Sequence, residues 1–158
     1  MAVVHVKLGP GKLAPHGKKM VAHAMFHKGT HFVAASVLLK DKGGFHDVVL
    51  HLLAQGLEVV QKVLLLARDY DKYRPRLRKP LGHDLVLGAD ALHQAYRLKP
   101  MKKEVRSELQ ALSDHYREHL LRYGGIHDIF GRASLELKVD HVFRRTVALT
   151  LLGRRVFK

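Results

Sequence analysis

The chain has 158 residues, enough for one domain with a buried core, and its 47% apolar and 27% charged residues exclude wholesale disorder. Lys and Arg number 28 against 14 Asp and Glu, a net charge of +14, with 13 His besides. The absence of Cys excludes disulfide scaffolds, thiolate metal sites and cysteine nucleophiles; no uninterrupted apolar run approaches about 18 residues, so no membrane span is expected, and a basic N-terminus without an apolar signal core points to the cytoplasm.

Residues 1–17 hold three Gly and two Pro and read as an irregular N-terminal arm, leaving 18–158 as one domain. From Lys18 to about Lys40 the spacing turns helical, with Val21, Met25, Phe32, Ala35 and Leu39 in one inward arc. Gly29 weakens the middle by about 1 kcal/mol and allows a kink there, and Gly43-Gly44 ends the helix. Phe45 to Ala67 is the strongest helical signal. Phe45, Val48, Val49, Leu52, Gly56, Val59, Val60, Val63 and Leu66 form a stripe that Leu50, Leu53, Leu57 and Leu64 widen. Only Asp47, His51, Gln55, Glu58 and Lys62 form a polar strip. A helix apolar around most of its girth belongs at the centre of a bundle or in a dimer interface.

Asp69 to Gly82 reads as a loop, because Pro75 and Pro80 disfavour helix before them and the charges leave no apolar face. Asp84 is a candidate N-cap for a helix that turns Leu85, Ala89, Leu92 and Tyr96 inward and is limited by Pro100. Residues 101–121 give another helix through Val105, Leu109, Leu112, Tyr116 and Leu120. Glu104 and Glu108 lie early in it and Arg117 and Arg122 at its end, as the helix dipole favours. Gly124-Gly125 ends it. Ser134 is a candidate N-cap for a last helix to about Arg155, with Val139, Val142, Phe143, Val147 and Thr150 inward. No alternating strand pattern competes. The expected fold is all-α, an antiparallel up-and-down bundle of four to five helices, homodimeric through the apolar second helix.

The run FHDVVLHLLAQGLEVVQKVLLLARDY, a polar loop and then GHDLVLGADAL resemble the HEPN domain of prokaryotic nucleotide-binding and ribonuclease proteins. In that family a Leu- and Ala-rich helix is followed by a short loop and a His-Asp-Leu phrase, here His83-Asp84-Leu85, that opens the next helix. The likeness covers roughly residues 18–155. It implies a four-helix up-and-down bundle, often dimeric, some members of which are metal-independent endoribonucleases that carry Arg, four to six intervening residues and then His. Arg122 and His127 fit that spacing and follow a long helix; Arg78 and Arg76 also fit it with His83. Tyr123 stands where active members more often carry a small polar residue, and Gly124-Gly125 interrupts the helix that normally holds such a pair. On this reading the 2′-OH of RNA attacks the adjacent phosphate, His127 moves the proton and Arg122 stabilises the charge on the phosphorane, with no metal or cofactor.

Independently of that likeness, Lys72, Arg74, Arg76, Arg78 and Lys79 are interleaved with Tyr70 and Tyr73 and followed by His83. Cations for phosphates beside rings for base stacking are the ingredients of single-strand binding, although a solvated charged surface has the same composition. Arg144, Arg145, Arg154, Arg155 and Lys158 add charge near the C-terminus. RNA or another polyanion is the expected partner. His23, His27 and His31 repeat at i, i+4 and i+8, where two could share a Zn²⁺, but no metalloprotease motif accompanies them and no metal site is assigned. Walker loops, dinucleotide fingerprints and nucleophile elbows are absent. The expected function is an RNA-directed module, including a metal-independent endoribonuclease of a defence or toxin–antitoxin system. The alternatives are a non-catalytic module acting with a nucleotidyltransferase or another protein partner, and a structural dimer with no nucleic-acid ligand.

Overall fold

In the computed structural model, residues 13–118 and 137–158 are described. Among them the elements are α1 (Pro15–Asp41), α2 (His46–Arg68), α3 (Tyr70–Tyr73), a 3-10 turn (Arg74–Arg76), α4 (Leu85–Tyr96), α5 (Lys103–Arg117) and α6 (Asp140–Val156), with no strand. The fold is therefore all-helical. Among the described residues it has one helix more than expected, because the segment read as a loop contains α3. The Asp69 carboxylate accepts the Lys72 N–H at 3.0 Å and starts that turn, and Pro75 lies in the first turn of the 3-10 segment, where its missing N–H costs nothing. The same tolerance lets α1 begin at Pro15, inside the expected arm.

α1 passes through Gly29 without a break, because Gly29 is a contact point. A Cβ there would lie 3.0 Å from Val59 Cγ1, and a Cβ on Gly56 would lie 2.7 Å from Val33 Cγ2 and 2.9 Å from the Val33 nitrogen. α1 and α2 thus run antiparallel with their backbones close together. The buried face of α1 is Ala22, Phe26, Gly29, Val33 and Ser36, one residue round from the expected arc. Val21, Met25, Phe32 and Leu39 lie at its margin, and Ala35 is exposed. Small residues decide the face, since they allow the closest approach to α2.

α2 is the central helix: twelve of its 23 residues are buried, and α1, α4, α5 and α6 all pack on it. Taken alone it is long and apolar enough to cross a membrane, despite its lack of an uninterrupted apolar run; in the fold that girth faces the other helices. Phe45 and Val48, at its start, are the stripe residues left exposed.

Asp84 caps α4 as expected, accepting the N–H groups of Val86 and Leu87 at 3.0 Å each. α4 and α5 are antiparallel, tied by the Leu85 N–H on Ser113 Oγ at one end and a two-point Arg106–Asp90 pair at the other. Among the described residues no local side chain caps α6. Its His141 and Val142 N–H groups donate to the Glu108 carboxylate of α5 at 2.9 and 3.2 Å; Ser134 lies outside the described residues. α6 runs antiparallel to α1, with Lys40 on Asp140 at one end and Phe26 against Gly153 and Phe157 at the other. Val147, expected inward, is exposed, while Thr146 and Leu149 face the core.

Candidate functional site

These directions bring the start of α1 and the ends of α2 and α6 together. Between them lies a hollow of about 580 Å³. Its floor includes Ala22, Leu66 and Phe157, and Lys18, Lys19, Arg68 and Lys158 stand among its lining residues. A second hollow of about 390 Å³ opens between the ends of α2 and α4, lined by Arg68, Lys72, Tyr73, Gln94 and Arg97 among others. Arg68 and Asp69 belong to both. Arg97 caps α4 in the left-handed region (φ 51°), a position that Gly usually fills.

Arg68, Arg97 and Lys158 have a local physical reason, whereas Lys18 and Lys19 stand near the amino end of α1, whose dipole opposes them. The carboxyl ends of α2, α4 and α6 carry the negative ends of their helix dipoles, which attract positive side chains. Their number exceeds that need. Among the described residues, six Lys and Arg line the two hollows against the single acid Asp69, whose carboxylate already accepts a backbone N–H. Of the six, Lys18 is paired with Asp71 at 2.6 Å and stands 5.7 Å from the centre of the Tyr70 ring.

The residues expected to bind nucleic acid divide. Lys72, Arg74, Arg76, Arg78 and Lys79 are exposed, and Tyr70 is half-buried. Tyr73 is only 4% exposed, so its ring is part of the core, with Lys72 and Arg76 at 5.2 and 5.7 Å from its centre. It leaves no face for a base. Arg145 is drawn in as well: it is half-buried, and its Nη2 lies 2.8 Å from His93 Nε2. Burial lowers the Arg145 pKa, and burial together with Arg145 holds the His93 pKa below the ordinary imidazole value. Arg154, Arg155 and Lys158 are exposed at the end that carries the hollows. Arg122 and His127 lie outside the described residues. His23, His27 and His31 are exposed with neighbouring rings 4.6 and 6.4 Å apart, and no group of three or more potential metal ligands converges among the described residues.

His83 belongs to another constellation. Its Nδ1 lies 3.0 Å from Glu58 Oε2, which also accepts the Tyr116 hydroxyl at 2.7 Å, while Lys62 Nζ meets Oε1 at 2.6 Å. Burial alone would raise the Glu58 pKa, but hydrogen bonds from Lys62, Tyr116 and His83 outweigh it, and the carboxyl ionises below its ordinary range. The cluster joins α2, the turn before α4 and α5. Beside it Asp84 pairs with Arg117 at 2.7 Å.

Sequence reading missed Lys18, Lys19 and Arg97 because they come from elements distant in the chain. The signal for Arg97 was present as the basic Arg97-Leu98-Lys99 stretch just past a helix end. The signal for Glu58 was an acid alone in the middle of an apolar helix. No protein-family model matches the chain, and neither the curated proteins nor the solved structures compared with it give a match.

Proposed function

We propose that the chain is an RNA-directed module on a HEPN-like up-and-down bundle, and that it holds a strand against the basic end formed by α1, α2, α4 and α6. The observation that carries this reading is the pair of adjoining hollows joined at Arg68, with six cations around them and the exposed Arg74, Arg76, Arg78 and Lys79 on the segment that leaves α2. With Lys18 engaged by Asp71, five lining cations can meet phosphates. For a single strand, five contacts give a slope of about −3.5 in log affinity against log salt, a loss of about 100-fold between roughly 50 and 200 mM. Fluorescence anisotropy with labelled oligouridine tests this. A steep slope, made shallower in Lys72→Ala with Arg97→Ala, supports the reading, and salt-insensitive binding or none overturns it.

The catalytic part of the proposal assigns proton transfer to His127 and charge stabilisation to Arg122. Single-stranded RNA should be cleaved in EDTA, and cleavage should be lost in Arg122→Ala and in His127→Ala; cleavage that survives both removes the assignment. Salt-dependent binding without cleavage favours the non-catalytic module acting with a nucleotidyltransferase or another protein. A homodimer belongs to the same proposal. Since α2 is covered within the chain, the apolar residues offered for pairing are Val37, Leu38, Phe45 and Val48 around the α1–α2 turn. Phe45→Glu should then shift the sedimenting species from dimer to monomer.

A further inference from the structure

We propose that the larger hollow is a nucleobase pocket: one unstacked base of a bound strand enters it, while the neighbouring phosphate occupies the smaller hollow on the other side of Arg68. The inference rests on the polyanion reading above and gives that surface a chemical division of labour.

The two walls differ in kind. The larger hollow has an apolar floor in Ala22 and Leu66, both buried, and in Phe157, whose ring stacks on Phe26 with centroids 5.0 Å apart. Along it, Met20 and Val156 stay 60% and 41% exposed, apolar surface that no other described residue covers. A floor of this kind rewards a planar group with apolar faces. At about 580 Å³ it lies within the range of small-molecule sites and has room for a base with its sugar. The smaller hollow sets the three cations Arg68, Lys72 and Arg97 and the Gln94 amide against one carboxylate, Asp69, which already accepts the Lys72 N–H, so its net charge suits a phosphate. Arg68 belongs to both walls, so a phosphate held there leaves the adjoining nucleotide facing the apolar side. Its guanidinium also lies 5.8 Å from the centre of the Tyr96 ring, which steadies it. Tyr70 lines the larger hollow beside Lys18, itself tied to Asp71.

A duplex keeps its bases stacked and cannot deliver one to such a pocket without flipping it out. The surface therefore favours unpaired strands by a mechanism separate from its charge.

The test compares three probes on the whole chain: a single-stranded RNA with one 2-aminopurine, the same strand built entirely of abasic sugars, and the corresponding duplex. The base-bearing single strand should bind about tenfold more tightly than the abasic one, in line with stacking of one base, and 2-aminopurine emission should rise as the base leaves the strand's own stack. Met20→Gln with Val156→Asn, both exposed and uncharged changes, should remove that advantage without altering abasic binding. Lys72→Ala with Arg97→Ala should weaken both single strands alike. Equal affinity for base-bearing and abasic strands, or equal weakening of both by the Met20 and Val156 changes, overturns the pocket and leaves the salt-dependent module standing. Failure of every strand to bind overturns both.

Discussion

Replacing Glu58 by Gln tests whether the core polar cluster holds three elements together. The Glu58 side chain is 12% exposed and accepts from Lys62, Tyr116 and His83. Gln keeps the volume but loses the charge and turns one accepting oxygen into a donating nitrogen, so either Lys62 faces a donor or Tyr116 and His83 must turn from donating to accepting. Lys62 and His83 reach solvent and regain part of their hydration, whereas the Tyr116 side chain is buried. A hydrogen bond to a charged partner contributes about 1.5–3 kcal/mol when its loss leaves a buried group unmatched. The exposed donors add less, so the net cost is about 2–3 kcal/mol. For a chain of this size, at about 2–4 °C per kcal/mol, the melting temperature should fall by roughly 4–12 °C. Far-UV circular dichroism at neutral pH measures this, and urea unfolding with an unchanged m value confirms that stability alone has moved. The pH dependence supplies a second readout. Because the folded pKa of Glu58 is depressed, its contribution is present above the ordinary glutamate range and is lost as pH falls through the folded value. The gap between wild type and Glu58→Gln should narrow across that acid range. A neutral-pH difference below about 0.5 kcal/mol, inside the usual scatter for surface changes, or a gap that does not change with pH, refutes the assignment.

Three further outcomes follow from the packing. Gly56→Ala places a methyl against the Val33 backbone and should cost about 2–3 kcal/mol in urea unfolding, whereas Gly29→Ala meets only the Val59 and Val60 side chains and should cost less. Asp84→Ala removes the acceptor of two α4 N–H groups and the partner of Arg117, and should cost about 1–2 kcal/mol in thermal denaturation. His93 has a folded pKa lowered by burial and by Arg145, so stability should decline as pH falls below the ordinary imidazole range, and His93→Gln should flatten that part of the profile relative to wild type.

Helix positions were legible wherever one local interaction decided them. The apolar stripe of α2 marks His46–Arg68 to within a residue, and Asp84 caps the helix it precedes. Where a distant partner decides, the sequence is silent. Glu108 caps α6 from another helix, so no residue next to Asp140 announces the start. The buried face of α1 is chosen by Ala22, Gly29 and Ser36, whose small size is the reason they are buried and also the reason a wheel weighted by hydrophobicity passes over them. The basic segment was visible as charge, but burial of Tyr73 was not, since Tyr suits a core and a stacking surface equally.

The place of the basic end is a consequence of helix direction more than of any motif. Lys18 and Lys19 open α1, Arg68 and Lys72 flank the end of α2, Arg97 caps α4, and Arg154, Arg155 and Lys158 close α6. Once α1 runs antiparallel to both α2 and α6, the opening of α1 and the closings of the other two must meet. Charges at helix termini then converge although the chain separates them widely. Arg145 carries the same charge from the middle of α6 and is drawn inward to His93 instead. Position at this one end of the bundle, more than charge alone, marks the cations that could serve a ligand; Lys40 and Arg117, at helix ends elsewhere, are paired with Asp140 and Asp84. Moving one outward tests that rule: Lys72→Ala with a new Lys at Ala148, exposed midway along α6, preserves net charge, yet it should weaken strand binding and reduce its salt slope by about 0.7, the share of one phosphate contact. An unchanged slope would mean that net charge governs binding, whatever its position.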